Sequence, residues 1–485
     1  MASYEKGFAL QVIILGTGGG PFENNTTAFL VRSVAKKWCQ GSLLAVDAGV
    51  HLAAISKILE SSGCFHKNEN IENEVELSNI SGQPLPVICS GPFEGLELQH
   101  RSLKANAGYI AGVLVETYII THPHLDHISG LVVNSSGLTG IKPKKIAALP
   151  PTICALKKHI FNNVIWPNLT NENNGAGLIS FKRLAETRSS TVNSNDGKDF
   201  TEICEGLQVN AWGVSHGRCS DKHEIGVVAT ETLSPDELLY QNSSTPGHLR
   251  EDRTTKNPNT HERIGVYESS AFFIRDIATG TQILIFGDVE PDSISSCPRN
   301  KYVWSEAAPK IVAGELRGIF IECSYDDTRA VDILFGHLAP RYLIEEIKVL
   351  ATEVEIIRNV NQKILKHEDN INSFYDNPRL NATYGYGFAD TECAEMVDHT
   401  KDEHNNDGEL LFPNSKTSES LPNNKLNEAH LPLKGVKIII IHTKDNLDDS
   451  PQVANIIHQQ LLEHEKKAQL GCEFIISRSG QSWHF

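Results

Sequence analysis

The sequence is short of positive charge: 44 Lys and Arg stand against 60 Asp and Glu, a formal net charge of -16. That shortage argues against a broad electrostatic grip on DNA or RNA. An anionic ligand would have to be attracted locally, and bound cations are the direct means. The ten cysteines are scattered and form no CxxC pair, so no disulfide framework is expected. No stretch approaches the ~20 apolar residues of a membrane span. The early run ALQVIILG is too short for a signal-peptide core and follows Glu5 and Lys6; a cytoplasmic protein without a membrane partner is expected. Ser269 and Ser270 lie in no G-x-S-x-G elbow, which argues against a serine hydrolase. The run Gly16-Thr17-Gly18-Gly19-Gly20 has neither the Lys-Ser/Thr of a P-loop nor the spacing G-x-G-x-x-G. Nucleoside triphosphate and dinucleotide binding are therefore rejected.

What is present is a chain of 485 residues with ordinary apolar content, 40%, enough for a sizeable core. Polar stretches without an apolar period fall near 65–82, 168–201, 235–263 and 366–432. They bury too little to offset their ordering entropy and are expected to be mobile insertions. The rest alternates short apolar runs with helical patterns and shows no internal repeat, the mark of one α/β domain. Seven runs have the length and β-branched content of buried strands. Leu10–Leu15 leads into the glycines, whereas the other six each end on a potential metal ligand or catalytic acid. Leu43–Val46 stops at Asp47, Thr117–Thr121 at His122 and Val209–Ser215 at His216. Gln282–Phe286 stops at Gly287-Asp288, Gly318–Ile321 at Glu322 and Val436–Ile441 at His442. Ligand sites in α/β sheets gather where strands end, so these residues are candidates for one pocket.

The run His122-Pro123-His124-Leu125-Asp126-His127 is the densest signal, with four ligand-type side chains in six positions. In a loop after a strand, residues i and i+2 can face one metal while i+4 and i+5 turn towards another. Imidazole with carboxylate suits Zn²⁺, with Mn²⁺ or Fe²⁺ as alternatives, and no cysteine lies near enough for a zinc finger.

The pattern H-x-H-x-D-H after a strand resembles the signature of the metallo-β-lactamase superfamily. The fuller string HPHLDHISGLVVNS resembles that of the class II cyclic-nucleotide phosphodiesterases, the fungal low-affinity cAMP type. Ser136 stands where that pattern has a small residue such as Ala or Pro. ILGTGGGP, SHGRCSDKHE, ILIFGDVEPDS, IFIECSYDD and LFGHLAPRYLIEE are similar to the same family, so the likeness spans most of the chain outside the polar segments.

The resemblance implies an αββα sandwich, two mixed sheets flanked by helices, binding two divalent metal ions. It assigns His122, His124 and His216 to one metal and Asp126, His127 and His442 to the other, with Asp288 bridging. It favours His337, in Phe335-Gly336-His337, as a phosphate contact or proton donor to the leaving oxygen. Asp47 and Glu322 read as groups that orient ligand imidazoles. Asn25, Thr26 and Thr27, after the glycines, are candidate substrate contacts. The implied reaction is hydrolysis of 3′,5′-cyclic AMP, with cGMP as a further substrate, to the 5′-nucleotide by a metal-bridged hydroxide oriented by Asp126. This would lower cAMP signalling. No nucleic-acid partner is expected, and a homodimer is left open. The alternatives are a tRNA 3′-processing phosphodiesterase, a thioesterase, or a metal-binding module without catalysis.

Overall fold

The computed structural model describes residues 7–67, 75–76, 85–137, 142–187, 200–221, 263–375 and 431–485. Among the described residues, those up to Ile357 together with those from Pro432 onward form one compact unit, and those from Arg358 to Tyr375 belong to a second.

The apolar runs form two seven-stranded sheets. One runs β16 (Ser482–His484), β1 (Leu10–Gly16), β2 (Ala28–Ser33), β3 (Leu43–Val46), β6 (Val115–Ile119), β7 (Lys144–Ala148) and β8 (Ile179–Arg183). The other runs β15 (Glu473–Ile476), β14 (Lys437–Ile441), β13 (Leu316–Glu322), β12 (Gln282–Phe286), β11 (Arg263–Asp276), β10 (Leu207–Asp221) and β9 (Thr201–Cys204). Each sheet is mixed. Pairing is antiparallel from β16 to β3 and from β9 to β12, and parallel over the rest. A small separate hairpin pairs β4 (His66–Lys67) with β5 (Val75–Glu76).

Inner strands such as β3, β12 and β14 are almost wholly apolar because both faces of each sheet are covered there. Leu10, Val12, Ile14, Phe29 and Ile119 of the first sheet share a buried layer with Phe272, Ile283, Ile285, Ile439 and Ile441 of the second. The alternate residues face helices. Ile13, Leu30 and Ala45 pack with α1 (Leu52–Ser61), α2 (Leu103–Tyr109) and α3 (Leu125–Asn134). α4 (Pro150–Ala155) follows β7 on the same side. Leu284, Phe286, Ile438 and Ile440 pack with α5 (Asn300–Val312), α6 (Pro340–Tyr375) and α7 (Val453–Ala468). These are the four layers, α-β-β-α, that the family resemblance implies. Truncating a fully buried residue of the central layer such as Ile439 to Ala costs about 2–5 kcal/mol.

Two expectations about the polar segments meet structure. Residues 168–187 form an organised loop and the edge strand β8, held by the buried Leu169 and Ile179 and by side-chain hydrogen bonds: Asn168 donates to the Glu172 and Asn173 carbonyls and accepts from Thr170. Residues 366–375 continue α6. The 235–263 segment lies outside the described residues except for Arg263, as does most of 366–432.

Candidate metal centre

The chain after β6 turns directly into a helix. α3 begins at Leu125, so Asp126 and His127 sit in its first turn rather than in the loop the spacing suggests. A carboxylate there also complements the helix dipole. The turn is sewn to the loop after β3: Ala48 N–H donates to the His127 carbonyl (2.7 Å), and Gly130 N–H to that of Gly49 (2.8 Å). That loop begins at Asp47, held at a left-handed φ of 52°, a conformation that a non-glycine residue keeps only where its surroundings enforce it. The enforcement is visible. Asp47 Oδ1 accepts from Thr121 N–H (2.8 Å), and Oδ2 accepts from the Thr121 hydroxyl and from His127 Nδ1 (both 2.8 Å).

The second sheet mirrors this. His442 follows β14 at φ 58°. Ser324 donates to Glu322 Oε2 (2.6 Å) and stands 3.0 Å from His442 Nδ1. With both hydroxyl protons given to carboxylates, His122 Nδ1 must donate to Thr121 Oγ1 (3.0 Å) and His442 Nδ1 to Ser324 Oγ. Two carboxylate–hydroxyl–imidazole relays result, Asp47–Thr121–His122 and Glu322–Ser324–His442.

His216 enters differently from expectation. β10 does not stop there but runs on to Asp221, with its register shifting between Ser215 and Arg218. This bulge turns on Gly217 at φ 81° and re-aims the ring. His216 Nδ1 then meets the Gly336 carbonyl at 2.9 Å.

All four imidazoles therefore have Nδ1 held and turn Nε2 towards Asp288. Its Oδ1 lies 3.1 Å from His127 Nε2 and 3.2 Å from His442 Nε2. Its Oδ2 lies 3.5 Å from both His122 and His216 Nε2. Atoms bound to one zinc at ~2.0–2.2 Å in a tetrahedron stand ~3.3–3.5 Å apart, close to these separations. Two groups with all ligand atoms within 4.8 Å emerge: His122, His124, His216 and Asp288, and Asp126, His127, Asp288 and His442. A third grouping, His216 with Glu322 and His337, shares residues with them.

The donor set passes a direct test of fit. His122 Nε2, His127 Nε2 and Asp288 Oδ1 are buried without a hydrogen-bond partner, and buried polar atoms of that kind demand an explanation. Cations held between the imidazoles and the carboxylate satisfy them together. Burial, with the neighbouring His127, drives His122 well below the usual histidine range, and burial takes His216 down to about 4, which keeps both as lone-pair donors. Burial acts against ionised Asp288, but His442, His127 and His122 hold its carboxyl well below the usual range. His127, against its own burial, is raised well above by Asp288 and Asp47.

His337 joins the same cluster. Phe335 (φ 53°) and Gly336 (φ 80°) bend the chain before it, and Pro340 opens α6 just after. Its Nδ1 donates to Glu322 Oε1 (2.9 Å), and its ring stacks on His442 with centroids 5.2 Å apart. Glu322 is a hub that also accepts from Val289 N–H and Leu338 N–H; burial and Asp288 push its carboxyl up to about 7. Cys323 is buried and its thiol raised well up by that burial, an inert structural group.

The candidate substrate contacts have internal partners. Asn25 Oδ1 accepts from Thr17 N–H (3.2 Å), Thr26 donates weakly to the Glu23 carbonyl and Thr27 to that of Gly18. They shape the glycine loop, and Asn25 also lines an outer cleft. Gly19 is the close approach: a Cβ there would lie 2.3 Å from His442 Cε1. Sequence reasoning missed Thr121 and Ser324, whose only signal was a hydroxyl adjoining the ligand-bearing strand ends.

The four-layer fold and this cluster define a hydrolase of the metallo-β-lactamase type, with a His/Asp centre suited to divalent cations. Comparison narrows the class. The sequence profile described as cAMP phosphodiesterases class-II matches residues 12–367. A 3′,5′-cyclic-nucleotide phosphodiesterase of Schizosaccharomyces pombe is 27% identical over 341 residues, 70% of this chain and 75% of that one. 3′,5′-Cyclic-nucleotide phosphodiesterase 1 of Saccharomyces cerevisiae is 30% identical over 362 residues, 70% of this chain and 83% of its own. Unliganded yeast PDE1 shares the fold with a TM-score of 0.59 at 21% identity, covering 99% of this chain and 100% of that one. The chain belongs to the class-II cAMP phosphodiesterase family. It is a 3′,5′-cyclic-nucleotide phosphodiesterase, which favours that reading over tRNA processing or thioester hydrolysis.

Proposed function

We propose that the enzyme hydrolyses 3′,5′-cyclic AMP, and cGMP with it, to the 5′-nucleotide at a centre of two divalent cations, Zn²⁺ by the chemistry of the donor set. The observation that carries this reading is Asp288, a single buried carboxylate whose two oxygens face two different histidine groups. In the proposal His122, His124 and His216 hold one cation, Asp126, His127 and His442 the other, and Asp288 is shared. The cations, when bound, supply an acidified water as nucleophile and positive charge against the phosphate.

The chain's own residues do the rest. Asp47 and Glu322, through Thr121 and Ser324, fix the ring planes so that Nε2 lone pairs converge, the role outer carboxylates commonly play around metals. Asp126, the least buried acid of the centre, stands 3.1 Å from His442 Nε2 and orients the attacking water. His337, pinned at Nδ1 by Glu322 and kept neutral by burial, presents an Nε2 lone pair that takes the proton released by the attacking water and passes it to the departing 3′ oxygen. Local positive charge explains how a chain of net charge -16 takes an anionic substrate.

No helix among the described residues is long and apolar enough to cross a membrane. The proposal is a cytoplasmic enzyme that lowers cAMP signalling by acting on the free nucleotide. The test is hydrolysis of cAMP and cGMP with and without a chelator, together with metal content per chain. Asp288→Ala should lose both metals and turnover. Full hydrolysis by that variant would refute the shared-carboxylate centre.

A further inference from the structure

Beside the metal centre, and not used in the chemistry above, lies a cleft of about 530 Å³ lined by Gly19, Gly20, Tyr325, Arg329, Lys444 and Asp445, among others. That volume is in the range of small-molecule sites. Its wall is built onto the centre. Gly19 packs against the His442 ring, and the edge of Tyr325 meets His337 with ring centroids 5.9 Å apart. The loop leaving His442 is fixed from both sides. Gly19 N–H donates to the Thr443 carbonyl (3.0 Å), Lys444 N–H to that of Ser324 (3.1 Å) and Asp445 N–H to that of Gly20 (3.1 Å).

Most charged groups in the cleft wall are already occupied. Lys444 Nζ donates to the Gly19 carbonyl (2.8 Å). Arg329 Nε donates to the Ile333 carbonyl (3.0 Å), and its guanidinium lies over the Tyr325 ring at 4.5 Å. Asp326 accepts from both the amide and the hydroxyl of Thr328. Asp445 differs. Its side chain is half-buried and has no hydrogen-bond donor among the described residues. Burial alone raises its carboxyl above the ordinary range. The carboxylate lines the cleft without a protein partner among the described residues and is therefore free to accept a hydrogen bond from a ligand there.

A 3′,5′-cyclic nucleotide offers a suitable donor. Both its 3′ and 5′ oxygens are esterified to phosphorus, so the sugar keeps a single hydroxyl, at C2′, next to the reacting phosphodiester. We propose that Asp445 accepts a hydrogen bond from the ribose 2′-hydroxyl and so selects ribonucleotides over 2′-deoxyribonucleotides. This rests on the proposed phosphodiesterase reading, with the phosphate at the metal centre and the sugar in the adjoining cleft.

The test compares kcat/KM for 3′,5′-cAMP, its 2′-deoxy analogue and cGMP in wild type, Asp445→Ala and Asp445→Asn. A hydrogen bond to a charged acceptor predicts a wild-type preference for ribose on the order of 10- to 100-fold. In Asp445→Ala, cAMP turnover falls towards that of the 2′-deoxy analogue. Asp445→Asn, which keeps a neutral acceptor, retains part of the preference. Metal content and thermal melting report whether each variant is folded and loaded. If the alanine variant fails to fold, a several-fold smaller ribose preference in the asparagine variant decides. The inference is overturned if wild type shows no ribose preference, if both sugars lose activity equally, or if only the cAMP-to-cGMP ratio moves, which would make Asp445 a reader of the base. Failure of the underlying function looks different: metal-loaded wild type would turn over no cyclic nucleotide, and the inference would fall with it.

Discussion

Gly19→Ala offers a sharp test of the site's construction because it replaces neither a proposed ligand nor a relay residue and acts only by pressing on one. The added Cβ would fall 2.3 Å from His442 Cε1, 2.5 Å from Nδ1 and 2.9 Å from Nε2. Carbon atoms settle at about 3.5–4.0 Å, so the ring or the loop must yield by roughly 1 Å or more. Neither is free. His442 sits at φ 58° at the end of a central strand and is held at Nδ1 by Ser324. The glycine loop is tied to Thr443 and Lys444. The strain of such overpacking is about 1–3 kcal/mol, too little to unfold a well-packed domain but enough to tilt the imidazole. A displacement of about 1 Å at a reacting centre costs on the order of 100-fold in rate. The group Asp126, His127, Asp288 and His442 should weaken while His122, His124 and His216 keep the cation proposed for them. Metal content measured after dialysis against limiting zinc should fall from the proposed two per chain towards one, with kcat on cAMP reduced about 100-fold. Gly20→Ala is the control: its Cβ meets nothing within 4 Å, and only the φ of 84° is strained, so stability drops by about 1–2 kcal/mol without loss of metal. A Gly19→Ala protein with wild-type metal content and turnover would refute the reasoning.

Two further outcomes follow from buried partners. Asp47→Asn keeps every proposed ligand but weakens the acceptor of Thr121 and His127; metal affinity should fall about 10- to 100-fold, measured by competition with a chromogenic chelator, while the fold by circular dichroism is retained. His51 lies outside the centre, buried against the Tyr118 hydroxyl at 2.9 Å, and burial lowers its pKa to about 4. Because the folded value lies below the unfolded one near 6.5, its penalty is absent above pH ~6.5 and grows as pH falls towards 4, reaching about 3 kcal/mol. Urea melts at pH 7.5, 6 and 5 should show that decline, and His51→Phe should make it shallower by about one proton.

The sheets were legible because a strand covered on both faces must be apolar to its end. The first polar residue after it then marks the rim, and Asp47, His122, Asp288, Glu322 and His442 were found that way. His216 was found on a mistaken boundary: the bulge inside β10 is set by Gly217 and the Phe335–Gly336 bend, a contact 120 residues away in sequence. The start of α3 was misjudged because His124, rather than a Ser, Thr or Asn, occupies its cap. Thr121 and Ser324 stayed invisible because a hydroxyl beside a strand end has many ordinary uses, and its role appears only once carboxylate and imidazole stand on either side.

The first sheet supplies His122, His124, Asp126 and His127 from the end of β6, and the second supplies His216, Asp288 and His442 from β10, β12 and β14. Neither group is complete within one sheet. Each sheet nonetheless carries its own relay, Asp47–Thr121 in one and Glu322–Ser324 in the other, and each places a left-handed residue at the rim, Asp47 and His442. The imidazoles are therefore oriented within a sheet while the charge that draws them together, Asp288, is shared between sheets. A cation in either group would join segments far apart in the chain, as the Asp126–His442 pair already does across 316 positions. The apolar layer between the sheets sets their spacing, and a central carboxylate facing both groups turns that spacing into a ligand set.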